Sequence, residues 1–190
     1  MRKIYFATGN PHKFEEAKVI LASYQIETVH LDVKRIEIQA QDLPDIASYS
    51  LSQIVKAFND PVFVEDTGLF IKELNGFPGP YSSYVHKTIG NGGIIKLMEG
   101  KINRKAVFKT VIAFKDVNKP EQIFLGEADG IISSFERGTG WGYDPIFIPS
   151  EGDGRTYAEM PLTEKNKLSH RSRALRVFAE KLKLERGAIF

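Results

Sequence analysis

Ile4-Tyr5-Phe6-Ala7-Thr8-Gly9-Asn10-Pro11-His12-Lys13-Phe14 reads as a buried strand, a tight turn and the start of a helix. Four apolar residues in a row suit an interior strand. Asn10 suits an N-cap and Pro11 the first helical position, and Phe14, Ala17 and Leu21 then recur at helical spacing. Ile26 to Val33 supplies a second strand. Ile46, Leu51, Ile54, Val55 and Phe58 form the apolar face of a helix begun through Asp42-Leu43-Pro44. Pro61-Val62-Phe63-Val64 is a short strand that stops at two carboxylates. A turn-rich middle follows, then helical segments around Tyr84 and from Asn91 to Met98. Ala106–Phe114 and Gln122–Ile132 read as paired long strands, and a last helix after Ser169 buries Leu175, Phe178 and Leu182. The order βαβαβ, ααββ, α predicts one mixed α/β body with an inserted lobe.

The composition agrees. A chain of 190 residues, 42% hydrophobic and 26% charged, can bury a core as one domain or two fused lobes. It has no cysteine, which removes disulfides and thiolate metal sites and suits a reducing compartment. The apolar stretch after Met1-Arg2-Lys3 is too short for a signal peptide, and no run approaches the ~20 residues of a membrane span. A cytoplasmic enzyme without a membrane partner is the expectation. The net charge of +2 argues against a stable nucleic-acid partner. Its distribution is uneven: Thr163 to Arg186 holds eight Lys or Arg against three Glu, so the rest of the chain is net acidic. A compact anionic ligand and a solvated helix face both account for that segment.

Four segments carry groups suited to chemistry. At Thr8-Gly9-Asn10-Pro11-His12-Lys13, helix-start N–H groups point where an anion can sit, and Lys13 is a cation where the helix dipole disfavours one. A capped helix beside an exposed lysine explains the same residues. Glu65-Asp66-Thr67-Gly68 places two carboxylates at the expected end of a strand, the ligand edge of an open α/β sheet, where hard oxygen donors suit Mg²⁺. Gly138-Thr139-Gly140-Trp141-Gly142-Tyr143-Asp144-Pro145 offers stacking surfaces and an acceptor for a base, or a loop that plugs a core edge. Lys165 and Ser169-His170-Arg171 lie at the start of the last helix, where cations are disfavoured unless donors are wanted for a ligand.

In order, Thr8-Gly9-Asn10-x-x-Lys13, Glu65-Asp66-Thr67-Gly68, Gly79-Pro80-Tyr81-Ser82, Gly140-Trp141-Gly142-Tyr143-Asp144-Pro145, Ala158-Glu159-Met160 with Glu164-Lys165-Asn166, and Ser169-His170-Arg171 resemble the inosine triphosphate pyrophosphatase family. The resemblance runs from residue 4 to about residue 180. It implies an elongated mixed sheet with flanking helices in two lobes around a substrate cleft, with residues 1–190 forming one nucleotide pyrophosphatase domain. It also implies a Mg²⁺-dependent homodimer that cuts XTP, ITP and dITP to the monophosphate and pyrophosphate. By the same resemblance Thr8, Gly9, Asn10, Pro11, His12 and Lys13 grip the triphosphate. Asp66 is general base and metal ligand, Glu37 the second ligand and Thr67 a substrate contact. Trp141, Gly142, Tyr143, Asp144, Lys165, His170 and Arg171 hold the purine. Glu65 serves either the metal shell or the attacking water. Many relatives carry a phosphate-facing lysine in the second helix, at a position that falls near Ser50 here; Lys56 is the lysine read in that helix. Two competing readings are a related pyrophosphatase for modified pyrimidine triphosphates and a non-catalytic nucleotide- or RNA-binding module.

Overall fold

In the computed structural model, which describes residues 2–33 and 38–187, the opening segment forms as its sequence predicts. Strand β1 (Arg2–Ala7) leads through the turn into α1 (Pro11–Ala22), whose Ala17, Ile20 and Leu21 face the core. β2 (Ile26–Leu31) returns parallel to β1, with Arg2 opposite Ile26 and Ala7 opposite Leu31. It stops two residues short of the expected Val33. Helix α2 (Leu43–Ile54) has proline in its first turn, and β3 (Val62–Ile71) then lies parallel to β1 on the other side, with Phe6 opposite Phe63. The order β2-β1-β3 makes β1 the strand at which the connections diverge, the switch point where open α/β sheets hold ligands beyond their strand ends.

Two expectations are corrected here. β3 does not stop at its carboxylates: it runs ten residues and carries Glu65, Asp66 and Thr67 inside it. Neighbours on both sides keep supplying ladder partners, β5 along one edge and the short β4 (Pro78–Gly79) antiparallel to Leu69 and Phe70. Gly68 permits that approach, since a Cβ there would meet the Gly79 carbonyl oxygen at 2.6 Å and the Phe70 ring at 2.8 Å. The second correction concerns Lys56, which lies past the end of α2, is exposed and donates to Gln53. Ser50, by contrast, is buried in the helix.

Helices α3 (Ser82–Thr88) and α4 (Gly90–Leu97) precede the long strands β5 (Lys105–Lys115) and β6 (Gln122–Ile132), followed by β7 (Phe147–Pro149), which is antiparallel to β6. β6 alternates buried and exposed along its length, the mark of a strand covered on one face. A helix not foreseen, α5 (Leu162–Leu168), precedes α6 (His170–Gly187). Among the described residues the result is one mixed seven-stranded sheet in the order β2-β1-β3-β5-β6-β7, with β4 on β3, and six helices.

The chain divides into two compact units. Unit 1 draws on residues 1–66, 110–126 and 171–190, and unit 2 on residues 67–109 and 127–170. Unit 1 closes around Phe178 of α6, whose ring meets Phe63, Phe114 and Phe124 at centroid distances of 5.3, 4.9 and 5.1 Å. Unit 2 has its own core, in which Phe108 lies between Phe147 at 4.7 Å and the His170 ring at 4.3 Å, with Tyr157 beside them.

Candidate active site

In unit 1 the expected residues gather around the turn after β1. Asn10 caps α1: its Oδ1 accepts from the backbone N–H of His12 at 2.9 Å and of Lys13 at 3.2 Å. The N–H of Asn10 in turn donates to Thr8 Oγ1 at 3.1 Å. Two of the helix-start donors expected to face an anion are therefore engaged by the cap itself. The buried Thr8 carbonyl lies 2.6 Å from His30 Nε2, and because a carbonyl only accepts, that nitrogen carries the proton. His30 also stacks on Phe14 at 4.7 Å, so β2 holds the turn from the side. Neither role of His30 is legible from an alternating strand.

Beside the turn lies a quartet of charges, Glu16, Glu65 and Arg171 buried and Lys13 half-buried. Glu65, 1% exposed, receives Arg171 Nε at 2.7 Å on one oxygen and Arg171 Nη2 at 3.2 Å on the other. Arg171 Nη1 donates to Glu16 Oε2 at 2.6 Å, and Lys13 Nζ stands 3.2 Å from Glu65 Oε1. Two cations and two carboxylates thus neutralise one another with little water present, and the planar guanidinium fork suits this better than lysine would. Burial by itself would lower the Arg171 pKa. The charges of Glu65 and Glu16 override it and hold the group above its ordinary value. Glu16 was not foreseen, since it sits among polar neighbours on α1 and its partner lies 155 residues away.

The quartet sharpens three expectations. The two carboxylates do not crowd each other, because successive side chains of a strand project to opposite faces: Glu65 turns toward Lys13 and Arg171, and Asp66 to the other face, half-buried. Arg171, expected at the purine, has its Nε, Nη1 and Nη2 on carboxylates of unit 1. The basic excess of the C-terminal segment also overstates its surface charge, because Arg171 and Lys165 are both buried in ion pairs. Lys167, Arg176, Lys181 and Lys183 stay exposed and Arg173 half-buried, so part of the excess remains at the surface.

Unit 2 gathers residues from two distant segments. Lys165 Nζ of α5 lies 2.6 Å from Asp144 Oδ2, both buried, and stands 5.1 Å from the centre of the Trp141 ring and 5.8 Å from that of Tyr157. An ammonium set against an aromatic face with a carboxylate beside it offers stacking, donation and acceptance within one small volume. Trp141 is half-buried, and Gly142 sits at φ +61°, a conformation glycine takes without strain. Tyr143 enters the core: its hydroxyl donates to the Ser82 carbonyl at 3.0 Å, and burial pushes its pKa up. His170 is buried too, stacked on Phe108 with the planes 11° apart. Thr67 is half-buried in β3. Of the expected base contacts, Trp141, Asp144 and Lys165 stand against one another, Tyr143 and His170 are buried beside Ser82 and Phe108, and Arg171 donates to Glu65 and Glu16.

Among the described residues no three metal-ligating side chains gather, so what speaks for a hard divalent cation is the carboxylate chemistry of β3. Glu65 is already neutralised by Lys13 and Arg171, and the half-buried Asp66 presents the next carboxylate of the strand. Glu37, expected as the second ligand, lies outside the described residues.

The chain is similar to three archaeal proteins named "dITP/XTP pyrophosphatase". The one from Methanopyrus kandleri is 51% identical over 94% of this chain and 95% of its own length. That from Pyrococcus horikoshii is 50% identical over 96% and 97%, and that from Thermococcus kodakarensis 49% over 95% and 97%. Among solved structures, a HAM1 protein from Coxiella burnetii aligns with a TM-score of 0.84 at 29% identity, over 96% of this chain and 99% of that one. The Staphylococcus aureus Ham1 protein aligns with 0.83 at 26%, over 97% and 100%. The Ham1 family model matches residues 4–181, which spans the Thr8–Lys13 turn, the charged quartet and the Trp141–Lys165 cluster alike, and this chain belongs to the Ham1 family.

Proposed function

We propose that this chain hydrolyses non-standard purine nucleoside triphosphates, XTP, ITP and dITP, to the monophosphate and pyrophosphate. The observation that carries the reading is half identity, over nearly the whole length of both chains, to relatives named for that reaction on dITP and XTP. Residues 1–190 then work as one nucleotide pyrophosphatase domain, in a cytoplasmic homodimer.

The turn Thr8–Lys13 takes the triphosphate. Lys13, already oriented by Glu65, offers its ammonium to charge that develops on the leaving pyrophosphate, and the exposed Gly9 lets phosphate oxygens come close to backbone. Mg²⁺ would be held by Asp66, with Glu37 as second ligand, and supplies neutralisation of the triphosphate. Asp66 orients and deprotonates the attacking water. Glu65 is the counter-ion that fixes Lys13, and Arg171 in turn holds Glu65.

On the base side Trp141 stacks on the purine and Lys165, held by Asp144, donates to the 6-oxo group. Hypoxanthine and xanthine accept that bond. Adenine would turn an amine toward an ammonium, the kind of polar mismatch that gives large discrimination.

The test is product identity and base preference with Mg²⁺ present. Pyrophosphate is expected from ITP and XTP well ahead of dUTP, ATP and GTP. Orthophosphate would overturn the reaction class, and absence of a preference for ITP or XTP would overturn the purine reading. Asp66→Asn should abolish turnover while nucleotide still binds.

A further inference from the structure

The loop that carries Trp141 is tied at its midpoint by a side chain from another element. Asn91, in the first turn of α4, is 9% exposed. Its Nδ2 donates to the Gly142 carbonyl at 3.1 Å and to Glu136 Oε2 at 3.2 Å. Both partners only accept, so the amide has a single satisfying orientation; turned over, it would set three acceptors against one another. Glu136 is exposed, and it orients the amide without being buried itself. The other end of the amide, Oδ1, is buried without a hydrogen-bond partner. A position that served packing alone would shed that cost with an apolar side chain.

The bond lands where the loop divides. Gly142 is left-handed, with Trp141 half-buried on one side of it and Tyr143 anchored in the core through Ser82 on the other. Trp141 is also tied within the loop by its carbonyl, which accepts from the Asp144 N–H at 3.3 Å.

We propose that Asn91, oriented by Glu136, is a positioning residue that fixes the Gly142 carbonyl and so holds the Trp141 ring over Lys165, setting affinity for the purine base without contacting it. This rests on the reading of Trp141 and Lys165 as base contacts.

Trp141 is the only tryptophan of the chain, so its emission and acrylamide quenching report its placement before any nucleotide is added. Asn91→Asp keeps the shape, removes both Nδ2 protons and sets a carboxylate against Glu136. It should raise the quenching constant about twofold, raise KM for ITP about tenfold as expected for one or two lost hydrogen bonds, and leave kcat within about twofold. Glu136→Ala alters an exposed residue and tests the same tie if Asn91→Asp fails to fold. It should show the same changes at smaller size. Native quenching and native KM in whichever of the two folds overturns the proposal. Trp141→Ala run in parallel separates the two claims. If its KM for ITP is unchanged, the base-contact reading falls and takes the affinity part of the proposal with it. If its KM rises while Asn91→Asp alters quenching and leaves KM native, the Asn91 proposal alone falls.

Discussion

Replacing Arg171 with methionine should unfold unit 1 at a distinctly lower temperature. The substitution keeps much of the side-chain volume and removes three donors, Nε and Nη2 from Glu65 and Nη1 from Glu16. Both carboxylates stay buried, with Lys13 the one cation of the quartet left to offset them. Removing one partner of a buried ion pair costs about 3–5 kcal/mol, because the remaining charge keeps its desolvation penalty and loses its compensation. For a chain of this size each kcal/mol moves Tm by about 2–4 °C, so the drop should fall at roughly 6–20 °C by calorimetry. Glu16→Gln provides the control. If the quartet is one unit, the double variant loses less than the two single losses together, with a coupling of about 0.5–3 kcal/mol. An Arg171 that faced a ligand in water would behave otherwise, with KM raised and Tm unmoved. A melting temperature within about 2 °C of the parent, with additive single effects, would refute the charged-quartet reasoning.

The same geometry yields three smaller expectations. Phe178→Ala removes the ring shared by Phe63, Phe114 and Phe124, and should lower the urea midpoint by the equivalent of about 3–5 kcal/mol without changing the m-value. Lys165→Gln removes a charged donor worth about 1.5–3 kcal/mol, so KM for ITP should rise roughly ten- to a hundredfold; an unchanged KM would take Lys165 off the base. The Glu159 pKa is held below its ordinary value, first by the Thr156 backbone N–H and then by Arg137. A lowered folded-state value means a contribution fully present above the unfolded value and lost as pH falls through the folded one. The stability difference between the parent and Glu159→Gln, followed by urea unfolding from about pH 6 to about pH 3, should hold steady at first and shrink below the ordinary glutamate range.

What could be read from sequence was what is local. The strand-turn-helix at Ile4–Phe14 appears as foreseen because cap, proline and apolar spacing all act within a few residues. The core face of α6, with Leu175, Phe178 and Leu182, is equally plain from its period. β3 was read short because Glu65-Asp66-Thr67-Gly68 has poor strand propensity; tertiary partners, with Lys13 and Arg171 on Glu65 and β4 against Gly68, outweigh it. Glu16 and Asn91 were missed for the same reason, since each acts on a residue 155 or 51 positions away and neither stands out among its neighbours. Tyr143 illustrates the opposite limit: an aromatic in a glycine-rich loop suits a base or a core equally, and only the Ser82 carbonyl decides where its hydroxyl goes.

The discontinuity of unit 1 has a consequence for synthesis. A ribosome releases the chain from its N-terminus, so all of unit 2, which ends at His170, has been made before Arg171 and Phe178 exist. Until then the aromatic cluster of unit 1 lacks its central ring, and Glu16 and Glu65 lack the Arg171 guanidinium that joins them. The part of unit 1 made before unit 2 is thus finished after it, its charges and its core completed together by one late helix.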